Sequence, residues 1–152
     1  MLWEDLLLDQ PVADPALVQA FAATLGIPED TVRVVDAFEN QPPGTEDASR
    51  LVIERTPAEG DFSLQLSLYL RDAKLEQRLQ SPTATLMRIK QLCRTLQRAC
   101  LLSDDSLSPV SWLRVLPSGE IEEVTLDADR LEDDEYVVES ARPATTHAVN
   151  AP

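Results

Sequence analysis

SPTATLMRIKQLCRTLQRACLLSDD, residues 81–105, decides how the rest of the chain is arranged. Leu86, Ile89, Cys93, Leu96 and Cys100 recur at alternating spacings of three and four, which places them on one side of a helix. Ser81 suits the N-cap, and Pro82 suits the first helical position, where its missing N–H goes unused. The other side carries Arg88, Lys90, Arg94 and Arg98, with Lys90, Arg94 and Arg98 forming a ridge at i, i+4 spacing. This segment is the only basic one and separates two groups of predicted strands.

Upstream, Pro15 and Gly26 bracket a second helix over residues 15–25, with Asp14 as its N-cap and Leu17, Val18, Phe21, Ala22 and Leu25 as its apolar stripe. Residues 1–11, MLWEDLLLDQP, read either as a short helical turn or as an extended arm. Strands are expected over residues 31–38 and 51–56, separated by an exposed Pro- and Gly-containing acidic loop. Phe62, Leu64, Leu66, Leu68 and Leu70 alternate with polar residues, so one strand face is buried. Residues 71–81 suit a helical turn. Residues 110–116 and 121–126 flank Pro117-Ser118-Gly119 as a hairpin, and 135–139 is a possible last strand.

The resulting expectation is an α+β single domain over 1–140. Its mainly antiparallel sheet has about five strands with two helices on one face, in the order α-β-β-β-α-β-β, followed by a disordered tail over 141–152.

The charge is distributed in blocks. The chain of 152 residues has 27 acidic and 13 basic side chains, a net −14. Residues 1–70 hold 13 acids and 3 bases, 71–103 hold 2 acids and 7 bases, and 104–139 hold 12 acids and 2 bases. Such a surface repels phosphate backbones, so nucleic acid is not an expected partner, whereas a basic protein is. No stretch is long or apolar enough for a membrane span. Glu4 and Asp5 stand where a signal peptide needs positive charge, so the cytoplasm is the expected compartment.

Catalytic signatures are sparse. The sole histidine, His147, lies in the tail, which leaves a Ser–His or Cys–His pair without a base inside the fold. Cys93 and Cys100, placed on one helix, would lie about 10 Å apart along its axis and so read as buried, unbridged thiols. Gly26, Gly44, Gly60 and Gly119 serve caps and turns and form no phosphate-cradling fingerprint. The acidic run DADRLEDDE, residues 127–135, lacks the glycine and terminal glutamate of an EF-hand loop. Neither a metal nor another cofactor is expected, and the chain is read as a non-enzyme. A hydrolase would instead need a deep pocket in which two carboxylates converge against aromatic walls.

The segment LLSDDSLSPVSWLRVLPSGEIEEVTL, residues 101–126, followed by that acidic run, resembles the C-terminal part of small acidic bacterial immunity proteins, which neutralise polymorphic or contact-dependent toxins. The resemblance implies a cytoplasmic, non-catalytic protein that plugs the active site of a cationic toxin. Asp104, Asp105, Glu122, Asp133 and Asp134 would face the basic cleft, and Trp112 would be a packed anchor. The order of elements is also similar to that of type III secretion chaperones, which would imply a dimer that binds a secreted effector segment. Residues 127–141 are acidic and strand-like where that class has its last helix.

Overall fold

A computed structural model describes residues 1–36 and 48–144. In chain order the elements are β1 (Leu2–Leu8), α1 (Asp14–Leu25), β2 (Val32–Asp36), β3 (Leu51–Pro57), β4 (Glu59–Gly60), β5 (Leu64–Leu70), α2 (Ala73–Arg78) and α3 (Pro82–Leu96). They continue with β6 (Cys100–Ser103), β7 (Ser111–Val115), β8 (Ile121–Leu126), α4 (Ala128–Glu132), β9 (Glu135–Tyr136) and β10 (Val138–Pro143). Eight strands form one sheet in the order β10-β8-β7-β6-β1-β5-β3-β2, and β4 pairs with β9 separately. Among the described residues of the large sheet, β2 and β3 are the one parallel pair.

The expected sheet of about five strands with two helices is therefore corrected to eight strands and four α-helices among the described residues. The chain begins with a strand, not a helix. The two strands missing from the expectation, β1 and β6, are neighbours at the middle of the sheet. Their runs Leu6-Leu7-Leu8 and Cys100-Leu101-Leu102 are buried throughout. A strand covered on both faces has no polar alternate positions, so it lacks the period-two signature.

One apolar cluster gathers Leu6, Leu8, Leu66 and Leu68 of the sheet with Leu17 and Phe21 of α1 and Ile89, Leu92 and Cys93 of α3. The second, on the opposite face, joins Leu7, Phe62, Leu101, Val124 and Leu126, with Trp112, Leu131 and Tyr136 packed against it. Phe62 thus leaves the face of Leu64–Leu70, because the chain bends before β5 begins. Along β7, Val110 and Trp112 join one cluster while Leu113 and Val115 join the other, the division expected from alternation.

Helix ends follow local chemistry. Ser81 Oγ accepts from Ala84 N at 3.0 Å and caps α3, with Pro82 at its start. Asp14 is the first residue of α1 instead of its cap, and its carboxylate pairs with Arg55. Gly26, at φ 68°, closes α1. Arg78 and Arg88 donate to the terminal carbonyls Leu25 O and Thr24 O at 2.8 and 3.2 Å, satisfying acceptors at the negative end of the helix dipole.

The largest local correction concerns residues 97–105. α3 stops at Leu96, Gln97 adopts the left-handed conformation at φ 54°, and Cys100 begins a strand. The reversal carries no glycine to announce it. Cys100 consequently joins Cys93 of α3 in the same buried cluster, and its thiol donates to Leu101 O at 3.8 Å. The inference of two thiols about 10 Å apart along one helix fails with the helix that it assumed. Both thiols are free and buried, and burial, followed by the Cys93 contact, raises the Cys100 thiol well above its ordinary pKa.

At the other end, residues 141–143, assigned above to the tail, complete β10, and Arg142 pairs with Glu123 at 2.8 Å. Residues 37–38 of the expected first strand, the acidic loop with Gly44, and His147 with the rest of the tail lie outside the described residues. No helix among the described residues is long and apolar enough to cross a membrane.

Candidate functional site

β1, the start of α3 and the turn after β6 border a half-open cavity of about 700 Å³. This volume falls within the range of small-ligand and side-chain pockets. Trp3, Leu79, Leu86, Leu102 and Leu113 supply apolar wall, while Glu4, Asp104 and Asp105 supply carboxylates. Among the described residues no Lys, Arg or His side chain lines it.

Three local arrangements produce that combination. First, Glu4 pairs with Leu68 across the sheet, two positions before Leu6, so the alternation of β1 assigns it to the leucine face. Second, Trp3 Nε1 donates to Thr85 Oγ1 at 3.1 Å, and Thr85 Oγ1 donates to Leu79 O at 3.2 Å, which ties the indole to the first turn of α3. Third, the chain turns tightly after β6. Asp104 Oδ1 accepts from Ser106 N at 3.0 Å and its Oδ2 accepts from Ser111 Oγ, while Asp105 N donates to Ser103 Oγ at 3.1 Å. Asp105 sits at φ 59°, a conformation that Asp tolerates better than most residues.

The three carboxyls differ in chemistry. Burial, then repulsion by Asp105 and Asp5, pushes the Glu4 pKa up from 4.5 to about 7. Burial also acts to raise Asp104, but hydrogen bonds from Ser111 and Ser106 outweigh it and hold that carboxyl below its usual range. Asp105 is exposed at the rim. The pocket therefore presents one carboxyl that changes charge near neutrality beside a fixed anion. It can attract a cation or exchange a proton.

The six sequence-selected residues divide between two regions. Asp104 and Asp105 line the pocket. Trp112 belongs to the opposite face, 6.2 Å from Tyr136 in an edge-to-face pair, with Nε1 donating to Pro109 O at 2.8 Å. Glu122 is committed to Arg114 at 2.8 Å, both half-buried. Asp133 and Asp134 are exposed just after α4. Trp3 is an aromatic anchor candidate by sequence alongside Trp112, but Glu4 is not a candidate, although the register Glu4–Leu6–Leu8 places an acid in line with leucines once β1 is read as a strand.

Two members of the basic ridge, Arg94 and Arg98, lie against the backbone. The Arg94 guanidinium lies against Gly119, where an added Cβ would come within 2.8 Å of Nη2. Arg98 Nη1 donates to Gln97 O at 3.1 Å. Among the described residues no group of three or more His, Cys, Asp or Glu side chains could hold a metal ion.

No protein-family profile matches the chain, no curated protein matches it, and no solved structure matches it.

Proposed function

We propose that this chain is a non-catalytic protein-binding module that recognises a basic partner, with the pocket at β1, α3 and the turn after β6 as its docking point. In the form favoured by the sequence resemblance, it is an immunity-type inhibitor of a cationic toxin. The observation that carries the reading is the pairing of apolar wall with uncompensated acid in one pocket: Trp3, Leu86, Leu102 and Leu113 beside Glu4, Asp104 and Asp105. Apolar contact gives a bound partner residence, and an acidic rim on a chain of net −14 accelerates encounter with a positive surface. Trp112 and the Arg114-paired Glu122 lie outside this docking point, and so do Asp133 and Asp134, which extend the acidic field only.

Capture from a native lysate tests it, with the intact chain and with E4Q/D105N, at low and high salt. A single basic protein retained by the native chain, released as salt rises and lost with E4Q/D105N, is the expected result. Retention independent of both salt and the two substitutions overturns it.

A second reading has one observation in its favour. A carboxyl titrating near 7 beside another carboxylate and a tryptophan wall is the arrangement of an acid–base hydrolase. Hydrolysis of chromogenic glycosides that disappears in E4Q would establish it. An unchanged background rate rejects it for those substrates.

A further inference from the structure

The pocket's chemistry specifies what enters it. Its wall is long and apolar, and its acidic end has no bound base. The titratable groups facing Glu4 are Asp5 on its own strand, Asp104 and Asp105 on the turn after β6, and the Cys100 thiol. The start of α3 presents hydroxyls and apolar groups there, and the directly opposite residue on β5 is Leu68. The nearest cation in sequence, the Met1 ammonium, donates to Leu70 O at 3.0 Å. A guest that brings its own positive charge on an apolar stem would complete the site.

Resting on the docking role above, we propose that the pocket receives a lysine side chain of the partner, and that Glu4 gives up whatever proton it holds as the lysine enters. The ammonium lies against Glu4 and Asp105, and the four-carbon stem runs along Trp3, Leu86 and Leu102. Lysine fits better than arginine because its compact head has three donors that can reach separate carboxylates. Arginine's planar fork is matched to a single carboxylate edge. The balance is simple. A protonated Glu4 and a lysine ammonium become a carboxylate–ammonium pair and a released proton.

Glu4 is about half ionised at pH 7 and about one-tenth ionised at pH 6. Apparent affinity is therefore expected to fall about fivefold from pH 7 to pH 6, and to rise about twofold by pH 8.

The test titrates the whole chain with Nα-acetyl-lysine N-methylamide, its arginine counterpart and its norleucine counterpart, which lacks the charge. The readout is the indole N–H resonance of Trp3, with Trp112, on the opposite face, as internal control. The expected result is saturable movement of Trp3 alone by the lysine probe, tighter than by arginine, absent with norleucine, and weakening about fivefold at pH 6. E4Q removes the pH dependence. D105N, which removes a repulsion on Glu4, moves its midpoint to lower pH and serves if E4Q fails to fold.

Equal binding of norleucine overturns the charge requirement, and tighter binding of arginine overturns the choice of lysine. Lysine binding that ignores pH, or a midpoint unmoved in D105N, overturns the proton release. If every probe fails while capture of the basic partner still depends on Glu4 and Asp105, the lysine pocket is wrong and the docking role stands. If capture is lost as well, both fall.

Discussion

Replacing Glu4 by glutamine isolates the cost of holding a carboxyl in this pocket. Glutamine keeps the volume and hydrogen-bonding capacity but cannot ionise. The folded chain raises Glu4 from 4.5 to about 7, chiefly by burial and then by the charges of Asp105 and Asp5. Between those values the folded chain holds a proton that the unfolded chain has already released. Stability contributed by the protonated form is intact below about pH 4.5, declines as pH rises, and is gone above about pH 7. The full difference would correspond to about 3 kcal/mol at 1.36 kcal/mol per tenfold. Glu4 keeps part of its surface in water, and solvent screening reduces this to about 1–2 kcal/mol. E4Q is therefore expected to match the native chain near pH 4.5 and to exceed it by about 1–2 kcal/mol at pH 8, or about 2–8 °C in Tm. Urea melts of the two proteins at both pH values make the measurement. A difference that is the same at pH 4.5 and pH 8 would refute the placement of Glu4 in an uncompensated acidic pocket.

Three further outcomes test the fold that builds the pocket. L101A removes a fully buried side chain from the second cluster and is expected to cost about 2–5 kcal/mol in urea unfolding. A loss below about 1 kcal/mol would mean that this face is not covered. G60A forces a Cβ to within 2.6 Å of Tyr136 O at φ 103°, so a loss of about 1–3 kcal/mol is expected. Exchange of the Asp61 amide, which donates to Tyr136 O at 2.7 Å, should accelerate with it. S81A removes the cap that accepts from Ala84 N and should lower stability by about 1 kcal/mol, read from the thermal midpoint. No change would place the start of α3 elsewhere.

The legible part of the fold was the part with one solvated face. β5 announced itself by strict alternation, α3 by its three-and-four spacing and Ser81-Pro82 start, and the β7–β8 hairpin by its Pro-Ser-Gly turn. The illegible part was the middle of the sheet. With helices packed on one side and α4 and β9 on the other, Leu6–Leu8 and Cys100–Leu102 carry continuous apolar runs that suit a helix equally well. The error at residues 97–105 had the same origin. Cys100 fits the helical stripe of α3 by spacing, and the left-handed residue that ends the helix is Gln97, which no composition rule marks.

The site was half legible for a related reason. Asp104 and Asp105 drew notice because acids crowd a turn, whereas Glu4 stands beside Asp5 at the start of an apolar stretch. Its significance depends on register. Read as a helical turn, Glu4 points anywhere; read as a strand, it shares the side of Leu6 and Leu8 and must enter the helix-covered face. A carboxyl there is costly without a base, and among the described residues no Lys, Arg or His side chain lines the cavity. Folding therefore retains an unfavourable group that a cationic guest would relieve. A buried apolar network could fill the same space more stably, so E4L should stabilise the chain at pH 8 by more than E4Q does while abolishing capture of the lysine probe. Denaturation and titration of the two variants side by side would show it. If E4L binds the probe as the native chain does, the carboxyl at position 4 has no part in recognition.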